Sequence, residues 1–190
     1  MSSIILASAS PQRRAILTQL GLTFEVVVAD VPELEQGDPV EVVCENARRK
    51  ARAVAQRRGH APGELVIGVD TEVHLDGEIF GKPADAADAR AMLGRLNGRT
   101  HEVHSGLALI RGGDEEVHHD LTRVTFRTLT DAQLDDYVEI GEWQGRAGGF
   151  AIQLRGAALI RRIEGDYLNV VGFPVAACLD AAPELMRASR

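Results

Sequence analysis

A carboxylate and an ammonium group lie near the middle of the chain, at Asp70 and Lys82. The apolar, β-branched run of residues 65–69 predicts a buried strand that ends at Asp70. Open α/β sheets place their ligand sites at this end of a strand. The pair Asp76-Gly77 between apolar residues predicts a hairpin that brings Lys82 towards Asp70. Such a pair suits metal-assisted phosphate chemistry, and a structural ion pair is the alternative.

Hydroxyl groups and two arginines meet at the start of the first predicted helix. Ser8 and Ser10 follow a short apolar strand of residues 4–7, and Ser10 precedes a proline, which suits the first position of a helix. The free N–H groups of such a terminus bind anions, and the guanidinium groups of Arg13 and Arg14 match phosphate oxygens. These features favour a phosphate site over a capped helix with solvated arginines.

Three more charged residues are candidates for the same site. Glu33 and Asp30, in an acidic loop, could ligate a hard cation, because such cations prefer carboxylate oxygen; solvated charge is the alternative. Lys50 lies on the edge of the apolar stripe of a helix whose start is predicted at Asp38-Pro39. A lysine in this position either reaches into a cleft or extends along the surface to solvent, which is the commoner case.

Two pairs of histidines are predicted to lie on the surface. His101 and His104 are three residues apart in a predicted strand, so their side chains point to opposite faces and do not chelate one metal. His118 and His119 are adjacent and are excluded as a chelating pair for the same reason.

The overall composition is that of an ordinary globular protein. The chain has 190 residues, of which 45% are hydrophobic and 26% are charged, which predicts one domain over residues 1–190. Its net charge of −7 argues against nucleic-acid binding through bulk charge. We expect a cytoplasmic protein without a signal peptide or membrane span. Cys44 and Cys178 have no metal-site spacing and are expected to be free thiols within helices.

Strand and helix patterns alternate along the chain and predict an α/β fold. Further strands are expected at residues 24–28, 102–111, 117–128 and 157–163, and further helices at residues 85–97 and 130–140 and from residue 175. A glycine-rich segment at residues 143–153 implies a special turn or a close backbone approach. Its last residue, Gln153, carries an amide that can both donate and accept, as reading a base edge requires.

Several segments, taken in order, resemble the Maf family of nucleoside triphosphate pyrophosphatases. They are LASASPQRR (6–14), RKA (49–51), GVDT (68–71), GKP (81–83), AGGFAIQ (147–153), Gly165-Asp166 and VGFP (171–174). The resemblance covers nearly the whole chain. It implies an α/β fold of the Maf and ITPase type, with a mixed twisted sheet, flanking helices and two lobes around a cleft. It also implies hydrolysis of a nucleoside triphosphate to the monophosphate and pyrophosphate, with Mg²⁺ or Mn²⁺. A homodimer, a house-cleaning role against non-canonical nucleotides and a link to septum formation are implied as well.

The resemblance also implies roles for individual residues. Asp70 matches the catalytic proton acceptor and a metal ligand, and Glu33 matches an acidic metal position. The positions that match phosphate contacts are Ser8, Arg13, Lys50 and Lys82. Thr71 and Gln153 match the branch that resembles dTTP/UTP pyrophosphatases rather than the branch that acts on 7-methyl-GTP. Gln12 departs from the pattern, because that branch typically has arginine there, and broader base selection is therefore expected.

A non-enzymatic module that binds nucleotide or nucleic acid in septum formation is the alternative function. It would use the basic helix face between Arg48 and Arg58 rather than Asp70. For the enzyme we expect no membrane partner and no stable complex with nucleic acid.

Overall fold

Two 12-residue strands, Glu64–Leu75 and Thr100–Arg111, pair along their length at the centre of a seven-stranded sheet. The computed structural model describes residues 3–187. The strands are β1 (Ser3–Leu6), β2 (Phe24–Val26), β3 (Glu64–Leu75), β4 (Glu78–Phe80), β5 (Thr100–Arg111), β6 (Asp114–Phe126) and β7 (Ile160–Glu164). Their order is β2-β1-β3-β5-β6-β7, and β4 pairs with β3 outside this path. β1 is parallel to β2 and β3, whereas the other pairs are antiparallel, so the expected mixed sheet is confirmed.

Six α-helices flank the sheet in the described part of the chain, and the helix starts predicted at Ser10 and Asp38 are confirmed. They are α1 (Pro11–Gln19), α2 (Pro39–Arg57), α3 (Ala86–Leu96), α4 (Asp131–Ile140), α5 (Tyr167–Val171) and α6 (Val175–Ala181). Ser10 caps α1, Asp38 caps α2, and Thr130 forms a capping box with Gln133 at α4. None of the helices within residues 3–187 is both long and apolar enough to cross a bilayer.

Three apolar clusters place the core at both ends of the long strands. Near β1, one cluster packs α1 and α6 on one face of the sheet, and another packs α2 on the opposite face. At the other end, the third cluster joins α3 and α4 to β4, β6 and the far halves of β3 and β5. The clusters thus form two lobes, which the two long strands connect.

Helix α2 lies directly on the sheet because two glycines leave room for its backbone. A Cβ added to Gly106 of β5 would lie 2.1 Å from the carbonyl oxygen of Val43. One added to Gly68 of β3 would lie 2.3 Å from the carbonyl oxygen of Ala47. No side chain fits in such a space, so this close packing requires glycine at both positions.

Strand β3 does not end at Asp70, as the sequence predicted, but continues to Leu75. Asp70 pairs with Gly106 in the middle of the ladder to β5. Beyond Asp70 the chain alternates between buried Val73 and Leu75 and the more polar residues of the other face, which is the period of a strand. The predicted hairpin is confirmed, and its turn residues Asp76 and Gly77 have φ values of 55° and 83°.

Other predicted strand limits also need correction. β2 is shorter than the predicted 24–28 and ends at Val26. The chain forms a 3₁₀ turn over Arg155–Leu159, where the prediction began a strand at residue 157, so β7 starts at Ile160. Two further 3₁₀ turns cover Ala147–Gly149 and Pro183–Arg187.

Two of the four histidines predicted to lie on the surface are buried. His101 is 1% exposed and His104 is 4% exposed, whereas His118 and His119 are half-buried. The His101 ring packs edge-on against Phe126 and Phe150, with ring centres 5.0 and 5.4 Å away. Burial lowers the pKa of His101 to about 4, so this ring is neutral at physiological pH.

Both cysteines are free thiols within helices, as expected. Cys44 lies in α2 and is partly buried, and Cys178 lies in α6 and is buried. Burial raises the pKa of the Cys178 thiol to about 12, which leaves it unreactive as a nucleophile.

The glycine contacts of α2 lead to a prediction on stability. Gly106→Ala should lower the free energy of unfolding by about 3 kcal/mol or more, because its Cβ would overlap helix backbone. Gly94→Ala is the matched control, since it lies in α3 and its Cβ would meet only the flexible end of Arg90 at 3.3 Å. The control should gain about 0.5 kcal/mol from helix propensity. Urea denaturation measures both, and equal values would contradict the close packing.

Candidate active site

A cleft of about 470 Å³ lies between the two lobes, and most of the predicted site residues line it. Its walls come from the loop after β1, the acidic loop, the middle of β3, and residues 145–153 and 170–172. The predicted residues in the lining are Ser8, Gln12, Arg13, Glu33, Lys50, Asp70, Thr71, Lys82 and Gln153. Arg14 is the exception, because it is exposed and lies outside this lining.

Asp70 is held by two residues of α2. Its Oδ1 accepts a hydrogen bond from Lys50 Nζ at 2.7 Å, and its Oδ2 accepts one from Asn46 Nδ2 at 2.9 Å. Burial alone would raise the pKa of the Asp70 carboxyl. The charge and hydrogen bond of Lys50, assisted by Arg13 and Asn46, outweigh burial and lower this pKa. Asp70 is therefore an ionised carboxylate with a fixed orientation.

Lys50 reaches into the cleft rather than to solvent, which is the less common of the two expected placements. Its side chain is only 10% exposed, and its Nζ also contacts Glu33 Oε2 at 3.0 Å. Asn46 fixes the acidic loop that carries Glu33, because its amide exchanges hydrogen bonds with the backbone N–H and carbonyl of Leu34 at 2.7 and 2.9 Å. Asn46 was not among the predicted site residues, although it stands one helical turn before Lys50.

Arg13 is oriented by three hydrogen bonds. Its Nη1 donates to Ser8 Oγ at 3.1 Å, its Nη2 to Thr71 Oγ1 at 3.3 Å, and its Nε to the carbonyl of Gly172 at 2.9 Å. Thr71 Oγ1 is also 2.9 Å from Ser105 Oγ. The hydroxyls of Ser8 and Thr71 thus position a guanidinium group at the start of α1. Burial lowers the pKa of Arg13 from its usual value, and Asp70 opposes this shift.

Gln12 has a cationic partner that the sequence analysis missed. In the amide orientation that satisfies both of its ends, the Gln12 oxygen accepts from Arg146 Nη1 and Nη2 at 2.6 and 2.8 Å. Its nitrogen then donates to Ser10 Oγ at 2.9 Å. The glycine-rich turn that carries Arg146 therefore brings a guanidinium group beside position 12.

Glu72 is a further carboxyl group in the cleft and was not predicted. One of its oxygens, Oε2, is buried without a hydrogen-bond partner. Burial, and then the charge of Asp70, raises the pKa of Glu72 to about 8, so the group is largely protonated at neutral pH. Its position two residues after Asp70 in a strand was the available signal, because such residues share a face.

The arrangement can bind a polyanion next to an ionised carboxylate. Arg13, Lys50, Lys82 and Arg146 supply positive charge around the cleft. Ser10, Pro11 and Gln12 at the start of α1 also line the cleft, and the N-terminus of a helix favours anions. Asp70 lies among these groups and can accept a proton or bind a cation.

Comparisons with known proteins show which proteins this chain is similar to. The family model described as Maf-like protein matches residues 3–185. A dTTP/UTP pyrophosphatase of Symbiobacterium thermophilum is 50% identical over 177 residues, which are 92% of this chain and 90% of that protein. One of Deinococcus radiodurans is 44% identical, over 93% of this chain and 89% of that protein. The solved structure of the Staphylococcus aureus Ham1 protein aligns with a TM-score of 0.47 and 18% identity, over 65% of this chain and 71% of that one.

The Lys50–Asp70 pair gives a prediction that combines two substitutions. Lys50→Met should lower the free energy of unfolding by about 3 kcal/mol, because it leaves buried Asp70 without its counter-charge. In an Asp70→Asn background, the loss in free energy of unfolding caused by Lys50→Met should be smaller by at least about 1 kcal/mol, because contacting charges are usually coupled by roughly this amount. Arg52→Met is the control, since this exposed partner of Glu115 should contribute under about 1 kcal/mol. Chemical denaturation of the two single variants, the double variant and the control tests this. Strictly additive effects of the two substitutions would show that Lys50 and Asp70 do not stabilise each other.

Proposed function

The chain belongs to the Maf family, and from this premise we propose that it hydrolyses nucleoside triphosphates to the monophosphate and pyrophosphate. The observation that carries the proposal is the ionised Asp70 within a cleft lined by Arg13, Lys50 and Lys82. We propose dTTP and UTP among the preferred substrates, because the relatives that match over most of the chain bear that name. Removal of non-canonical nucleotides is the cellular role that we propose for this activity.

In the proposed reaction Asp70 acts on the attacking water. Its carboxylate accepts a proton from the water as the water oxygen bonds to the α-phosphorus. The bond from the α-phosphorus to the bridging oxygen breaks, and pyrophosphate leaves with that oxygen. Lys50 and Asn46 support this role, because they hold both carboxylate oxygens in place.

The cations of the cleft are proposed to bind the triphosphate and to stabilise the charge that develops on pyrophosphate. Arg13 is suited to this role because Ser8, Thr71 and Gly172 fix its guanidinium group before substrate arrives. Lys82 is exposed and lines the cleft, so its ammonium group can reach an incoming phosphate. Arg14, outside the cleft lining, is not included among these contacts.

The residues present fit a hard divalent cation such as Mg²⁺ or Mn²⁺. Glu33 and Asp70 offer carboxylate oxygens in one cleft, and the buried Oε2 of Glu72 has no partner among protein groups. We propose Glu33 and Asp70 as the residues that would hold the ion. When bound, the ion supplies charge to the phosphate oxygens and lowers the pKa of a coordinated water.

The basic helix face gives little support to the alternative of a nucleic-acid-binding module. Arg48 and Arg52 both pair with Glu115, and Arg58 pairs with Glu64 and Glu25. These acidic partners reduce the positive charge that phosphate backbones would require. A homodimer and a link to septum formation stay predictions from the family resemblance, and a cytoplasmic location stays a prediction from the sequence.

Asp70→Asn tests the catalytic assignment. It should keep the fold and reduce kcat by roughly 10²–10⁴-fold, because a positioned base contributes a factor of this size. Lys82→Met should lower mainly kcat if its charge acts in the transition state. Arg58→Ala is the matched control and should leave kcat unchanged, since Arg58 pairs with acidic residues on the outer face. Pyrophosphate release with Mg²⁺ is the measurement, and parent-like turnover by Asp70→Asn would refute the proposed base.

A substrate panel tests the proposed base selection by Gln153, Thr71 and Gln12. We expect dTTP and UTP among the better substrates, with some cytidine or purine triphosphates accepted, because Gln12 lacks the fixed charge of arginine. Gln12→Arg alone would place a second guanidinium group beside Arg146. The swap Gln12→Arg with Arg146→Gln avoids this repulsion and should narrow the panel towards dTTP and UTP. A parent protein that prefers 7-methyl-GTP would overturn the branch assignment.

A further inference from the structure

His74, Glu102 and His104 form a cluster of metal-ligand side chains outside the proposed catalytic residues. His74 and Glu102 stand directly opposite each other on β3 and β5, and His104 lies two residues after Glu102 on the same face. Glu102 Oε2 is 3.3 Å from His104 Nε2 and 3.9 Å from His74 Nδ1. One ligand atom of each residue lies within 4.8 Å of the other two.

We propose that these three residues bind one transition-metal dication of the zinc class, with water in the remaining position. Zinc bonds to histidine nitrogen and carboxylate oxygen of about 2.0–2.2 Å place neighbouring ligands of a tetrahedral site roughly 3.3–3.5 Å apart. The distance from Glu102 Oε2 to His104 Nε2 already has this value. The distance from Glu102 Oε2 to His74 Nδ1 is about half an ångström longer. Two imidazoles select zinc, cobalt or nickel over magnesium, which prefers oxygen ligands.

Two outer residues orient the ligands as metal sites require. Arg123 donates to Glu102 Oε1 at 3.1 Å through Nε, which leaves Oε2 for the two histidines. His119 Nε2 lies 3.0 Å from His104 Nδ1. When His104 Nε2 binds a metal, its proton moves to Nδ1, which then donates to His119 Nε2. Such second-shell hydrogen bonds fix the tautomer and the ring orientation of a ligating histidine.

The cluster has an open side through which a metal ion can enter. The His104 side chain is 5% exposed, but those of His74 and Glu102 are 18% and 31% exposed.

This site is separate from the cation site proposed at Asp70. His74 lies four residues after Asp70 on β3, a distance of about 13 Å along an extended strand. One ion cannot bind at both places, and the two donor sets favour different metals. The proposal therefore does not depend on the proposed hydrolysis.

Metal binding by the full chain tests the proposal directly. Chelator-treated protein is dialysed against Zn²⁺ alone, and the bound metal is counted by mass spectrometry. Co²⁺ alone then serves as a spectroscopic probe of coordination by nitrogen and oxygen. We expect one equivalent of Zn²⁺, and a rise in Tm of about 5–10 °C at a hundredfold excess over Kd.

Variants identify the ligands. His104→Ala and His74→Gln should each weaken Zn²⁺ binding by at least tenfold, and His119→Ala should weaken it by about tenfold. His118→Gln is the matched control, because His118 is adjacent to His119 in β6 and therefore lies on the opposite face from it. It should retain full binding, as should Asp70→Asn. If His104→Ala does not fold, the more exposed His74→Gln decides. Absence of binding by the parent, unchanged binding by His74→Gln, or loss of the Zn²⁺ in Asp70→Asn would overturn the proposal.

Discussion

Asp70 is an ionised carboxylate beneath a helix, and a buried charge of this kind requires an opposite charge within hydrogen-bond distance. Lys50 and Asn46, one turn apart on α2, meet this requirement with bonds of 2.7 and 2.9 Å. They reach β3 because Gly68 and Gly106 let the helix backbone contact the sheet. A side chain at either glycine would lift the helix and lengthen both bonds. The ionised state of Asp70 thus depends on glycine at both positions.

The same contacts connect the rest of the cleft. Lys50 also holds Glu33, and Asn46 holds the backbone of Leu34, so helix, strand and acidic loop form one network. Glu72 lies beside this network without a partner for one oxygen, and its pKa is raised to about 8. Strand β3 therefore carries an ionised carboxylate, Asp70, and a largely neutral carboxyl group, Glu72, in the same site.

Local signals in the sequence were enough to predict most of the fold. The caps at Ser10, Asp38 and Thr130 and the turn at Asp76-Gly77 each depend on a few adjacent residues. The resemblance to a family then indicated nine of the residues that line the cleft. The wrong or missing predictions concern side chains whose neighbours come from distant parts of the chain. His101 is buried because Phe126 and Phe150 enclose it, and Arg146 meets Gln12 across more than a hundred residues of chain. No local pattern reports such contacts.

The pairing of β1 with β3 has a consequence for how the chain folds. Ser3 pairs with Glu64, so this parallel contact closes a loop of about sixty residues, whereas β5 and β6 meet across a turn of two glycines. Closing the short loop sacrifices less chain entropy, so the β5–β6 hairpin can form early and add β3 along its length. The loop after β1, which carries Ser8, reaches Asp70 only when β1 docks. The binding cleft is therefore among the last parts of the molecule to be completed, and the incompletely folded chain cannot engage a ligand there.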